Sequence, residues 1–269
     1  MSNTVMPSVQ VVVVDIGGIP IRLSADSDSF LGLVRDRYSG FLSSGLHRGV
    51  DLAVNVSSYN NSEVEDICVA RHLGKWRAER ADFRLDWDSD SKSGQLDLTL
   101  NAYSLDAALR ILHTLLLAES GGFLLHAASS VRQGRAFLFF GPSGAGKTTV
   151  ARLALSDSTL LTDEISYIRP DGTSYVAHGT PFTGELAKPG ENISAPIAGL
   201  YQLVKASTNR VTLMKQGDAA RALLESVLFF AEDPDLVKLV FKSVCDVVCR
   251  LPVYRLEFVP DRSFWNLVQ

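Results

Sequence analysis

The stretch FFGPSGAGKTTVARLA (139–154) carries the densest chemistry in the chain: Gly141, Gly146, Lys147 and Thr148 fit G-x-x-x-x-G-K-[ST] without deviation. Phosphate binding accounts for that spacing. A loop running through Pro142, Ser143, Gly144 and Ala145 must curl until successive backbone N–H groups converge on a β-phosphate, and side chains at the glycines would block the approach. Lys147 then neutralises β- and γ-oxygens, and Thr148 offers a hydroxyl to Mg²⁺. Residues 141–149, Thr149 included, are therefore assigned to ATP or another nucleoside triphosphate with its Mg²⁺. The apolar run AFLFF before the loop predicts a strand, and a helix is predicted from 147 to about 155, its N-terminal dipole favouring an anion.

Acid groups follow early. LLTDE places Asp163 only 16 residues after Lys147, a separation that suits a strand beside the loop strand, reached through one helix. Asp163 and Glu164 are adjacent, so in extended chain they face opposite ways and at most one meets a metal; an alternative is that both cap a turn. Upstream, Gln133-Gly134 reads as a two-residue hairpin loop. Arg132 then pairs with Arg135, and counting back sets His126 opposite Gly141, at the mouth of the loop. A lone histidine in a strand could also be structural. His113, on an apolar helix, reads as structural, and His178 is left open.

The elements that must position these groups fall into two parts. Residues 1–103 read as a β-rich N-terminal domain: VQVVVVDI, IPIRLS, DLAVNV, FRLDW and LDLTL, with a helix near 30–42 and a hairpin tip at DSDSKSGQ. Residues 104–269 read as an α/β domain around the glycine-rich loop. It opens with a helix capped by Ser104 and closed by Gly121-Gly122. Strands are predicted at GFLLHAASSV, RAFLFF and TLLTD, and on either side of a Pro170-Asp171-Gly172 turn. After the long stretch HGTPFTGELAKPGENISAP come GLYQLVKA, NRVTLM, helices near 218–231 and 234–250, and PVYRLEFV. The last helix has Asp233 as cap and Pro234 at its first position.

Composition excludes several classes. The 269 residues are 46% hydrophobic and 21% charged, with a net charge of -4. That balance gives no bulk attraction to nucleic acid or anionic membrane. Cys68, Cys245 and Cys249 are too few and odd in number for a disulfide framework, and the last two read as core thiols. The first 18 residues lack a basic lead-in to an apolar run, so no signal peptide is read, and LDAALRILHTLLLAE is too short and too polar to span a bilayer. A cytoplasmic protein is expected.

Taken together, LLHAASSVRQGRAFLFFGPSGAGKTT, LLTDEISYI, HGTPFTGEL and LPVYRLEFVPD resemble the HPr kinase/phosphorylase family, in its HPr-kinase-related serine kinase branch. The resemblance implies a P-loop kinase core shared with ATP-dependent phosphoenolpyruvate carboxykinase. It also implies phosphoryl transfer from ATP to a serine hydroxyl on a protein or peptide, such as a ribosomal precursor peptide, by a protein that self-associates. Asp163 would be the general base, helped by His126, with Lys147 on the transferred phosphate. Thr148 and a later glutamate would hold Mg²⁺; Glu185 in FTGEL is the candidate, and Glu164 is kept with them. The family's His-Gly and Asp-Asp pairs stand here as His126-Ala127 and Asp163-Glu164. Its Glu-Arg-Gly signature is replaced by TGELAKPGE, so the resemblance does not extend to phosphorylase activity or to HPr as acceptor. Arg250 or Arg255, flanking LPVY, are further candidates for phosphate. Two other readings are a small-molecule kinase of the shikimate or gluconate type and a nucleotide-sensing interaction module.

Overall fold

Alternation of apolar residues decides the first part of the molecule. In the computed structural model, which describes residues 9–45, 49–57, 59 and 66–268, Val50, Leu52 and Val54 are buried on one face of their strand, as are Phe83, Leu85 and Trp87 on theirs. The N-terminal eight residues, part of the segment read as no signal peptide, lie outside the described residues. The chain divides into two compact units, Met1–Leu112 with Phe230–Glu232, and His113–Phe229 with Asp233–Gln269. The whole is mixed α/β, with two large sheets.

In the first unit the elements are β1 (Gln10–Ile16), β2 (Ile19–Ala25), α1 (Asp28–Arg37), β3 (Val50–Val56), β4 (Cys68–His72), β5 (Lys75–Arg80), β6 (Phe83–Asp88) and β7 (Ser93–Leu98). The strands form one sheet in the order β1-β2-β3-β7-β6-β5-β4. Only β2/β3 and β3/β7 are parallel. The hairpin β4/β5 is absent from the sequence reading because just Val69, Trp76 and Ala78 of it are buried among charged neighbours. Helix α1 is capped by Ser27, and the predicted span to 42 resolves into α1 plus a separate 3₁₀ turn at Ser39–Phe41.

Helix α2 (Ala102–Glu119) starts earlier than the Ser104 cap predicted. Asn101 takes that role, its Oδ1 accepting from the Tyr103 amide at 2.8 Å, while buried Ser104 donates to Asp82. Gly121, at φ +80°, ends the helix as expected, with the Gly122 amide donating to the Leu117 carbonyl at 2.8 Å. Among the described residues no helix is long and apolar enough to cross a membrane.

The second unit continues with β8 (Phe123–Arg132), β9 (Arg135–Phe140), α3 (Lys147–Arg152), β10 (Ser158–Thr162), β11 (Ile165–Asp171), β12 (Ser174–His178), β13 (Ser194–Lys205), β14 (Arg210–Leu213), α4 (Gln216–Leu224), β15 (Val227–Leu228), α5 (Pro234–Arg250) and β16 (Val253–Phe258). Its sheet runs β10-β8-β11-β12-β13-β16-β14, with β9 pairing both β8 and β13 and β15 pairing β8. β9 explains its own apolar run. Ala136, Leu138 and Phe140 enter a core with α4 and α5 residues such as Leu223 and Val244, whereas Phe137 and Phe139 enter a second core with Val150 and Trp265. A strand buried on both faces has no polar side to show.

Four local expectations change. The predicted 218–231 helix stops at Leu224, because Val227 and Leu228 pair with Leu125 and Leu124 of β8. Pro170 sits inside β11 opposite Tyr175, and the turn moves to Gly172-Thr173. The loop helix α3 ends at Arg152 rather than near 155. Cys249 is exposed and Cys245 half-buried, since α5 turns Leu236, Val240, Val244 and Val247 inward. Asp233 caps α5 as predicted, accepting from the Asp235 and Leu236 amides, with Pro234 in the first turn.

Candidate functional site

The hairpin β8/β9 fixes the first side chain. Gln133 (φ +49°) and Gly134 (φ +74°) form a two-residue turn, Arg132 pairs with Arg135, and Ala127 pairs with Phe140. His126 therefore falls one step past the end of β9, beside the start of the loop. Its own amide donates to the Ser226 carbonyl at 2.8 Å, and it pairs with Ile165 on the other side. The register expected for His126 is the register observed.

The loop closes on itself around Lys147. The ammonium donates to the carbonyls of Gly141 at 2.9 Å and Pro142 at 3.2 Å, and the side chain is nearly buried. Burial lowers its pKa, and the charge of Glu164 opposes that shift. Gly146 has no substitute here. Its φ is +114°, and a Cβ would lie 2.6 Å from Cζ of Phe258, the last residue of β16. The C-terminal strand thus packs directly under the turn.

Strands β10 and β11 both pair with β8, the first at residues 129–132 and the second at 123–126. Between them Asp163 and Glu164 form a bend. Buried Thr162 makes the bend by accepting the Glu164 and Ile165 amides on its Oγ1, each at 3.1 Å. The chain is not extended at this point, and both residues line one cavity. This corrects the expectation that an extended chain would part them.

The long loop after β12 is anchored to β10. The Thr180 and Glu191 amides donate to the carbonyls of Leu161 and Leu160, each at 3.0 Å. Gly190 is required for that approach, since a Cβ would stand 1.6 Å from the Leu161 oxygen. The loop crest is tied to the acid group: Asp163, only 3% exposed, accepts the Gly184 amide on Oδ1 and the Leu186 amide on Oδ2, both at 2.9 Å. Sequence reasoning gave Asp163 no such partner. Two amide donors hold the carboxylate in a single orientation.

These parts meet at a cavity of about 500 Å³. His126, Asp163 and Lys147 all line it, as do Thr148, Glu164 and Glu185. Of the loop residues assigned to a nucleotide, Ser143, Gly144, Gly146 and Thr149 join them. Gly141, Pro142 and Ala145 do not: the first two turn carbonyls to Lys147, and Ala145 packs in the core beneath. Thr183, Gly184 and Lys205 also line the cavity; of these only Thr183 and Gly184 lie in a stretch singled out by sequence. Arg250 pairs with Asp246 at 2.9 Å and Arg255 with Glu257 at 3.6 Å, and neither reaches the cavity.

A metal fit can be judged from the donors. Among the described residues no three His, Cys, Asp or Glu side chains converge on one point. The candidate oxygen donors Thr148, Glu164 and Glu185 line the cavity beside Ser143, Thr149, Thr183 and Asp163. A sparse set of hard oxygens suits Mg²⁺ that completes its shell with water and phosphate oxygens.

A protein-family model described as "SynChlorMet cassette protein ScmC" matches residues 95–269, which include every residue of the cavity. No curated protein matches the chain. The description names a cassette and no activity. Because the match spans well over half of the sequence, the chain belongs to the SynChlorMet cassette protein ScmC family.

Proposed function

We propose that this protein is an ATP- and Mg²⁺-dependent kinase that transfers the γ-phosphoryl group to a serine hydroxyl of a protein or peptide. One observation carries the reading. Lys147 and Thr148 of the G-x-x-x-x-G-K-[ST] loop share a single cavity with Asp163, His126, Glu164 and Glu185, residues drawn from four separate segments. The resemblance to HPr-kinase-related proteins supports a kinase core of that type, a peptide acceptor, self-association and a cytoplasmic setting. The net charge of -4 supports neither a nucleic acid nor a membrane partner.

In this reading the loop amides and Lys147 hold the β- and γ-phosphates, and Thr148, Glu164 and Glu185 hold the metal, which screens the phosphate charge. Asp163 takes the proton of the acceptor hydroxyl as the serine oxygen bonds to phosphorus and the bond to the β-phosphate oxygen breaks, releasing ADP. The two amides on Asp163 keep its carboxylate aimed while the acceptor arrives, and His126 borders the same space. Most of the acceleration comes from this positioning and from charge stabilisation.

The test is direct. Purified protein is mixed with Mg-ATP and candidate precursor peptides, and added phosphate is read by mass spectrometry, with ATP uptake followed by calorimetry. Transfer to a peptide serine is expected, and Lys147→Ala is expected to lose both uptake and transfer. Rapid phosphorylation of a small metabolite with none on any polypeptide would refute the acceptor class, and absence of ATP uptake would refute the kinase reading.

A further inference from the structure

The strand after the long loop brings a side chain to the cavity that no motif marks. β13 runs parallel to β9 with Gln202 beside Phe140, so both strands leave the sheet at the same edge. Lys205, three residues past Gln202, therefore stands alongside the loop that begins at Gly141, and it lines the cavity. Across β13 its neighbour is Phe258, the residue whose ring closes on Gly146. His126, Asp163 and Glu164 arrive from β8 and the β10–β11 bend, which flank β9 on its other side. The cavity thus has an acidic wall and, across the loop, a basic one.

Charge sharpens the point. The lining carries Asp163, Glu164 and Glu185 against Lys147 and Lys205 alone. Lys147 is already engaged by two loop carbonyls. Lys205 is exposed and has no ion-pair partner among the described residues. A polyphosphate placed on this loop meets three carboxylates on one side, and among the described lining residues Lys205 is the ammonium beyond Lys147 that can answer it from the other.

We propose that Lys205 is a second phosphate-binding cation, gripping the nucleotide's polyphosphate on the side of the loop away from Asp163. The inference rests on the triphosphate reading of this cavity and adds to it a residue outside the loop motif. A compact ammonium on a four-carbon stem meets a phosphate oxygen as a point charge and needs no fixed fork geometry. Opposite the carboxylate that receives the acceptor proton, it lies toward the leaving side of an in-line transfer, where negative charge gathers on the oxygen between the β- and γ-phosphates.

Calorimetry of Mg-ATP with the wild type, Lys205→Ala, Lys205→Arg and Lys242→Ala tests it. Lys242 is exposed on α5, outside the cavity lining, and its loss removes the same unit of charge. Lys205→Ala is expected to weaken Mg-ATP about tenfold, more at low salt than at high, with unfolding of the nucleotide-free protein unchanged. Lys205→Arg is expected to stay within about threefold of wild type and Lys242→Ala to match it. Equal affinity in Lys205→Ala and wild type overturns the inference while leaving the triphosphate reading intact. So does an equal loss in Lys242→Ala, which would reduce the effect to bulk charge. A wild type that takes up no Mg-ATP overturns both.

Discussion

Asp163→Asn probes two duties at once, the loop clamp of the structure and the proton acceptance proposed for it. Both carboxylate oxygens accept a main-chain N–H at 2.9 Å, and the residue is 3% exposed. Asparagine keeps the shape but replaces one oxygen with an NH₂ group that faces an N–H donor. One bond to a charged acceptor disappears and a buried amide is left without a partner, which costs about 2 kcal/mol. Exchange of the Gly184 or Leu186 amide should then rise roughly thirtyfold, by the usual tenfold per 1.4 kcal/mol. Lys147, Thr148 and the loop amides do not depend on that carboxylate, so Mg-ATP affinity should hardly move. Phosphoryl transfer should fall by about 10²- to 10⁴-fold, the contribution of a positioned base.

Gly184→Ala separates the duties. A Cβ there would lie 2.9 Å from Asp163 Oδ2 and 3.1 Å from Glu164 Cβ, so the carboxylate must shift by a few tenths of an ångström while keeping its charge. Transfer is expected to fall at least about tenfold with Mg-ATP affinity retained, as small misplacements of reacting groups carry large rate costs. Single-turnover assays on both variants, with hydrogen exchange and urea unfolding in parallel, decide the matter. Undiminished transfer in Asp163→Asn refutes the base assignment. Wild-type amide protection at 184 and 186 in the same variant refutes the clamp.

Two further outcomes follow from the same geometry. Gly146→Ala combines a backbone at φ +114° with a Cβ placed 2.6 Å from the Phe258 ring; a loss of stability of about 1–3 kcal/mol and of Mg-ATP binding is expected in urea unfolding and calorimetry, and a variant that binds normally would contradict the packing described. His113 is fully buried, its Nδ1 2.9 Å from the Tyr167 hydroxyl, and burial together with Arg169 pushes its pKa down to about 3. The unfolded chain takes up a proton near pH 6.5 that the folded one refuses. Stability from this group is therefore complete above about pH 6.5 and declines by up to about 1.4 kcal/mol per unit as the pH falls toward 3. Urea midpoints at about pH 7.5, 5.5 and 4.5 should show the decline, and His113→Gln should make it shallower, the remainder coming in part from His178, whose pKa burial pushes down to about 4; a wild-type midpoint constant across that range would refute the linkage.

How far the site could be read in advance depended on how local its causes are. His126 was placeable because a two-residue turn and strict strand pairing leave one register, so counting from Gln133-Gly134 suffices. The glycine-rich loop announces itself in the same local way. The Asp163-Glu164 pair is legible in the sequence as a neighbour of the loop but not as a bend, although the cause sits next to it: Thr162 precedes the pair, and a threonine hydroxyl that accepts two following amides makes a bend where an apolar residue would continue the strand. Ser104 erred for a related reason, since Asn101, three residues earlier, is an equally good cap and the Ser104 hydroxyl has Asp82 to bond instead. Lys205 had no local signal at all. Its place follows from β13 pairing in parallel with β9, strands separated by more than fifty residues of intervening chain and brought together by cores on both faces. Such pairing leaves no trace in the residues beside a lysine, so a lysine brought to the cavity by strand pairing is the part a motif search misses by construction, and the fold supplies it.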